Sequence, residues 1–143
     1  MNDIGSDARG VIVEREFAHP PEKLWRALTQ PHLIEEWLMK NDFRPVVGHH
    51  FNLRGDWGGV LDCEVLAVEP HKKLTYTWNF KHAETAYHLT SVVVWTLTPT
   101  RSGTHLRMEQ SGFRPDQPQA YGGAKAGWQQ FFEKLDQLLA RAE

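Results

Sequence analysis

The chain has 143 residues, 16 of them basic and 18 acidic, with a formal net charge of -2 at pH 7, and this length is typical of a single domain. The mixed charges form no basic stripe that would favour a nucleic-acid partner, and no apolar run reaches the roughly 18 to 20 residues that cross a bilayer. The single cysteine, Cys63, excludes an internal disulfide, so we expect a cytoplasmic protein that does not insert into a membrane.

The first third of the chain predicts a strand followed by two short helices. Residues 1–10 are polar and are expected to be a loose lead-in to one domain over residues 11–143. Apolar and polar positions alternate from Val11 to Phe17, which predicts a strand. Apolar residues then recur at helical spacing after Pro21 and again after Pro31, and proline suits the first turn of a helix.

The middle of the chain predicts antiparallel strands joined by tight turns. The strand segments are Phe51–Leu53, Val60–Glu69, Leu74–Phe80, Val92–Leu97 and Thr104–Gln110. Alternation is clearest in LTYTWNF, whose apolar residues share one face, as expected for a sheet with one buried side. Residues 81–88 are expected to form a polar loop.

The end of the chain predicts a long amphipathic helix that begins at Pro118. Its apolar stripe consists of Trp128, Phe131, Phe132, Leu135, Leu138 and Leu139. The order of elements is therefore an α+β layout in which helices are segregated from an antiparallel sheet.

Three stretches of sequence resemble a known family. REFAHPPEKLWRALTQPHLIEEWL matches its opening strand and Pro-Glu-x-x-Trp helix, and GGVLDCEVLAVEPHKKLTYTW matches its Gly-rich turn, its Glu-Pro strand end and the following Trp strand. VVVWTLTPTRSGTHLRMEQSGF and GWQQFFEKL match its last strands and its C-terminal helix. The chain thus resembles the activator of heat shock protein 90 ATPase homologue-like branch of the START-related superfamily, also called SRPBCC. It departs from the family at residues 47–50, where a Gly-Gly pair is often found.

The resemblance implies a helix-grip fold. In that fold a curved antiparallel sheet wraps around a long C-terminal helix, two short helices follow the first strand, and a cavity for a small ligand lies between sheet and helix. Some inward positions are expected to fill the core: Trp25, Leu28, Leu106, Leu135 and Leu139. For others, lining of the ligand pocket and filling of the core both remain open: Trp37, Trp78, Trp95, Met108 and Phe131.

Two further residues are ligand-binding candidates. Trp57 lies in the turn GDWGG and is either a lid at the cavity mouth or an exposed loop side chain. Arg15 lies on the apolar face of the first strand, where a guanidinium needs a partner. That partner is either a structural carboxylate or carbonyl, or an anionic ligand.

The sequence predicts no metal site, no cofactor and no catalytic residue. Its eight histidines lack a ligand-like spacing such as HExxH. Cys63 lies on a strand with nothing nearby in sequence to lower its pKa, so it is expected to be a small buried hydrophobe. Glu109 and Gln110 are expected to be solvated.

Three functions remain open. The first is binding of a small hydrophobic or amphipathic ligand in the cavity. The second is a co-chaperone that binds a heat shock protein 90 chaperone and alters its ATPase. The third is an enzyme of the cyclase, aromatase or hydrolase type. A monomer and a homodimer are both compatible with the sequence.

Overall fold

The computed structural model describes three stretches of the chain, residues 9–56, 58–81 and 88–141, and they form seven strands and three helices. The elements in chain order are β1 (Arg9–Phe17), α1 (Pro21–Thr29), α2 (Pro31–Trp37), β2 (Lys40–Asn41), β3 (His50–Arg54), β4 (Val60–Glu69), β5 (Lys73–Phe80), β6 (Leu89–Pro99), β7 (Thr104–Phe113) and α3 (Pro118–Arg141). The predicted order is confirmed, and the short strand β2 is an addition to it.

Three predicted features lie wholly or partly outside the described residues. They are the first eight residues of the lead-in, the lid candidate Trp57, and residues 82–87 of the polar loop. β1 begins at Arg9, two residues before the expected start of the strand.

All seven strands belong to one antiparallel sheet with the order β1-β7-β6-β5-β4-β3-β2. The sheet is curved, and α3 packs against its inner face, as in the helix-grip fold of the SRPBCC superfamily. A β-bulge between Val65 and Ala67 interrupts the pairing of β4 with β5. Bulges bend a strand and increase its twist, which helps the sheet to curl around α3.

The core lies between this inner face and α3. Trp95 on β6 is fully buried, and its ring centroid is 5.9 Å from that of Phe132 on α3 and 5.7 Å from that of Trp37 on α2. The Trp95 indole N–H donates to the hydroxyl of Tyr76 at 3.0 Å, and burial raises the pKa of that hydroxyl. The five residues that the sequence assigned to the core, Trp25, Leu28, Leu106, Leu135 and Leu139, are all buried.

The two short helices close one end of the sheet. Each begins with proline in its first turn, as predicted. They are tied to each other because the Trp37 indole N–H donates to the carbonyl of Ala27 at 2.8 Å. In the described stretches, no helix has both the length and the apolar character that crossing a membrane requires.

Gly112 brings the end of β7 close to β6. Its φ is +120°, and a Cβ built there would lie 2.4 Å from the carbonyl oxygen of Thr90. Only glycine tolerates that approach. The approach lies beside Ser91, a buried residue whose hydroxyl belongs to the site described next.

Candidate functional site

A cavity of about 320 Å³, here called the helix cavity, lies between the first half of α3 and the adjoining ends of the central strands. Between Gln119 and Trp128, the helix contributes only small residues to the described lining: Ala120, Gly123, Ala124 and Gly127. These residues follow the spacing i, i+3, i+4 and i+7, so they lie on one face of α3. A Cβ at Gly123 or Gly127 would meet nothing within 4 Å. The absence of large side chains along this face therefore leaves the cavity open.

Aromatic rings form much of the remaining wall. Trp78 and Phe80 come from β5, and Trp128 and Phe131 come from α3. The ring centroid of Trp128 is 5.0 Å from that of Trp78 and 5.4 Å from that of Phe131. The lining is completed by Met39, Leu61, Leu89, Gln110 and Gln119. Every residue of this lining that the structure describes is uncharged.

A chain of hydrogen bonds crosses the closed side of the cavity. The Trp128 indole N–H donates to Oε1 of Gln110 at 2.7 Å, and Nε2 of Gln110 donates to the hydroxyl of Ser91 at 2.9 Å. The Ser91 hydroxyl in turn donates to the carbonyl of Trp78 at 2.5 Å. Gln110 is only 1% exposed. The chain therefore holds a polar amide rigidly in the apolar wall.

A second hollow of about 450 Å³ adjoins the helix cavity. Met39, Gly127 and Phe131 line both spaces, so they form the partition between them. The second hollow is lined by charges of both signs: Glu35, Glu36, Lys40, Arg54, Asp56 and Lys134. Glu36 is already bound to Arg141 at 2.6 Å. The two spaces thus differ sharply in polarity.

The ligand-binding residues predicted from the sequence lie in different places: some line the helix cavity, one borders the second hollow, and others lie in the core. Trp78 and Phe131 line the helix cavity, and Trp37 borders the second hollow. Trp95 and Met108 are fully buried in the core, and neither is among the described lining residues of the helix cavity or of the second hollow.

Arg15 lies between β1 and α3, away from the lining of the helix cavity. Its guanidinium is 3.5 Å from the carboxylate of Asp136 and donates to the carbonyl of Phe132 at 3.4 Å. It also lies over the Phe132 ring, 5.9 Å from the centroid. Arg15 therefore has the structural partners that an inward guanidinium requires.

The sequence reasoning missed three parts of the site. The prediction that Gln110 is solvated was wrong, although it follows Leu106 and Met108 on the inward face of β7. Trp128 was predicted to belong to the apolar stripe of the C-terminal helix, but it was not predicted to line a cavity. The small residues of α3 recur at helical spacing, a signal that the search for large apolar residues overlooked.

Cys63 is a buried free thiol with a raised pKa. Cys63 is 3% exposed, and burial, with a smaller effect from the Asp62 charge, raises the pKa of its thiol to about 12. Across residues 9–56, 58–81 and 88–141, no three or more His, Cys, Asp or Glu side chains are grouped to hold a metal ion.

Solved structures similar to this chain have the same fold over nearly its whole length. The crystal structure of protein MLL2253 from Mesorhizobium loti is 75% identical, with a TM-score of 0.92 over 94% of this chain and 99% of that one. A protein from Rhodobacter sphaeroides is 26% identical, with a TM-score of 0.75 over 94% and 93%. DynU16, from the dynemicin biosynthetic locus, is 27% identical with a TM-score of 0.80, and the match covers 92% of this chain but 47% of DynU16.

The sequence comparisons give one family and no curated relative. No curated protein matches the chain. Residues 18–140 match the family described as Activator of Hsp90 ATPase homolog 1-like protein, which is most of the chain. The match and the shared fold together confirm the resemblance that the sequence motifs indicated. The chain belongs to the Activator of Hsp90 ATPase homolog 1-like family.

Proposed function

We propose that this protein binds a small, uncharged, largely aromatic molecule in the helix cavity. The observation that carries the proposal is the pairing of a bare helix face, Ala120 to Gly127, with a wall of aromatic rings across an open space. Natural ligand pockets are concave and mostly apolar, with a few fixed polar groups. The helix cavity has this composition, with the amide of Gln110 as its buried polar group.

The size and charge of the cavity define the class of ligand. A volume of about 320 Å³ is at the lower end of small-molecule pockets and suits a molecule of about two or three rings. An ionised group placed there would lose its hydration without gaining a counter-charge from the described lining, whose residues are all uncharged. The flat ring systems of Trp78 and Trp128 favour a planar partner. An amphipathic ligand would place its polar end towards the charged second hollow.

The test uses a neutral fluorescent probe, N-phenyl-1-naphthylamine, with the full chain. We expect saturable binding with a rise in probe fluorescence. Gly123→Leu adds a side chain where a Cβ meets nothing within 4 Å, and the new side chain occupies the cavity. This variant is expected to weaken binding by at least about tenfold.

Gly122→Leu is the matched control. Gly122 is the preceding residue, and it borders the groove beside β1 instead of the helix cavity. Both variants gain the same helix propensity, so they differ mainly in which space is filled. Unchanged affinity in Gly122→Leu with loss in Gly123→Leu supports the proposal. Equal affinity in Gly123→Leu and the parent protein contradicts it.

A second candidate function is favoured by the family match itself. The family description names an activator of the Hsp90 ATPase, and the proposal for this chain is that it binds such a chaperone and changes its rate of ATP hydrolysis. The measurement is the ATPase rate of Hsp90 with micromolar amounts of this protein. An unchanged rate, together with no binding, removes this second candidate and leaves the ligand-binding proposal untouched.

The cytoplasm is the compartment proposed for both functions. The sequence contains one cysteine, which lies buried as a free thiol. Proteins of reducing compartments keep such thiols, whereas secreted domains of this size commonly use disulfides. Fractionation of cells that produce the protein tests the location, and recovery outside the cytoplasm contradicts it.

A further inference from the structure

The buried amide of Gln110 has one N–H that the described part of the chain leaves without an acceptor. Its Nε2 carries two protons, and one of them is donated to the Ser91 hydroxyl at 2.9 Å. Within the described chain the other N–H has no acceptor. Gln110 is only 1% exposed, and it lines the helix cavity.

The orientation of the amide is fixed by its two partners. An indole N–H only donates, so the atom of Gln110 that faces Trp128 has to be the oxygen. The Ser91 hydroxyl donates its single proton to the carbonyl of Trp78, so it accepts the hydrogen bond from Gln110. Both partners therefore require the same orientation of the Gln110 amide, with Oε1 towards Trp128 and Nε2 towards Ser91.

A spare N–H in an apolar cavity favours a ligand with an acceptor. A buried donor that lacks a partner costs free energy, and a ligand oxygen placed against it recovers that cost. A ligand without such an oxygen leaves the donor unpaired. Sites built around a buried polar group discriminate strongly against analogues that lack the matching group.

We propose that Gln110 recognises an uncharged acceptor oxygen, such as an aromatic ketone carbonyl, at the buried end of the ligand. This proposal rests on the ligand-binding function and adds the polar feature of the ligand to it. The aromatic walls hold the ring system, and the Gln110 N–H selects molecules whose carbonyl reaches it. Trp128 and Ser91 act as positioning residues, because they orient Gln110 through its other hydrogen bonds.

Fluorene and fluorenone form a matched probe pair for the test. They have the same rigid three-ring skeleton and differ by a methylene in place of a carbonyl. The dissociation constant of each compound is measured by displacement of N-phenyl-1-naphthylamine. The binding free energy is then corrected by subtracting the compound's own free energy of transfer from water to alkane. We expect fluorenone to be favoured by about tenfold after this correction.

The infrared spectrum of bound fluorenone gives a readout that needs no variant. A hydrogen bond from Gln110 lowers the carbonyl stretching frequency below its value in hexane. In Gln110→Met we expect the corrected preference for fluorenone to fall by about tenfold. Gln129→Met is the control, because Gln129 lies on the exposed side of α3, beside β1. We expect the preference of this variant for fluorenone to equal that of the parent protein.

The outcomes separate the two proposals. If both compounds bind with equal corrected affinity and the carbonyl frequency equals that in hexane, the role of Gln110 is wrong while the ligand-binding function stands. If neither compound nor the naphthylamine probe binds, the proposed function itself fails. If Gln129→Met changes the preference as much as Gln110→Met, the assignment to Gln110 is overturned.

Discussion

The indole N–H of Trp128 on α3 donates to Oε1 of Gln110 on β7 at 2.7 Å, and both residues are buried. This bond joins the long helix to the inner face of the sheet beside the helix cavity. Trp128→Phe removes the donor, keeps an aromatic ring and leaves the amide oxygen without that partner. We expect the free energy of unfolding to fall by about 1–3 kcal/mol, measured by urea denaturation.

Trp25→Phe is the control for the loss of ring size. Trp25 is also buried, but within the described stretches its indole N–H has no hydrogen-bond partner. We expect a smaller loss of stability than in Trp128→Phe. Equal losses in the two variants would mean that the bond to Gln110 adds nothing to stability.

A methyl group at Gly112 is expected to be strongly destabilising. Gly112 combines a φ of +120° with a Cβ position 2.4 Å from the backbone oxygen of Thr90. We expect Gly112→Ala to lower the free energy of unfolding by about 2 kcal/mol or more. Gly122→Ala in α3 meets nothing within 4 Å and is expected to raise it by about 0.5–1 kcal/mol. Thermal unfolding checks both signs, and a neutral Gly112→Ala would contradict the close strand approach.

Arg15 is expected to act in stability and not in ligand binding. Its side chain is 29% exposed, and its guanidinium contacts both the carboxylate of Asp136 and the carbonyl of Phe132. Arg15→Met is therefore expected to lower the free energy of unfolding by about 1 kcal/mol and to leave probe affinity unchanged. The control is Arg107→Met, which is expected to have a smaller effect because Arg107 is more exposed than Arg15 and pairs with Glu109 on its own strand. A large loss of probe affinity in Arg15→Met would restore its role as a ligand contact.

Cys63 is expected to be unreactive in the folded protein. Burial raises the pKa of its thiol from 9.0 to about 12, so at pH 8 the thiolate fraction is about a thousandfold lower than for an unperturbed thiol. Because the folded-state pKa is raised, the thiol stays neutral as pH rises until about pH 12. The protein is treated with iodoacetamide at pH 8, and alkylation is measured by mass spectrometry. We expect alkylation of Cys63 only after denaturation. Rapid labelling of the folded protein would contradict the burial of Cys63.

The sequence was sufficient for most of the fold because periodicity reports which face of an element is buried. Alternation in β1 and β5 and the apolar stripe of α3 each predicted the inward residues correctly. The two-residue strand β2 was missed because two residues carry no period. The first three residues of β6 and the last three of β7 were also missed, and the inward residue next to the predicted start of β6, Ser91, is polar.

The candidate site was harder to predict for a related reason. A cavity is defined by volume that side chains leave unfilled, and the glycines and alanines of α3 show no signal on a scale of hydrophobicity. Trp95 and Trp78 have the same residue type and similar strand positions. Trp95 is enclosed by Trp37 and Phe132, whereas Trp78 borders the helix cavity. Only the packing of the folded chain distinguishes the two residues.

The most direct test of the central claim is a nuclear magnetic resonance titration of the nitrogen-15-labelled protein with N-phenyl-1-naphthylamine. The account predicts saturable shifts of the Trp78 and Trp128 indole signals and of the Gly123 and Gly127 amides, which border the helix cavity. The Trp25 indole, at the other end of the fold beside His71, is expected to stay in place. Shifts confined to Trp25 or to the groove beside β1, with Trp78 and Trp128 unmoved, would contradict the account.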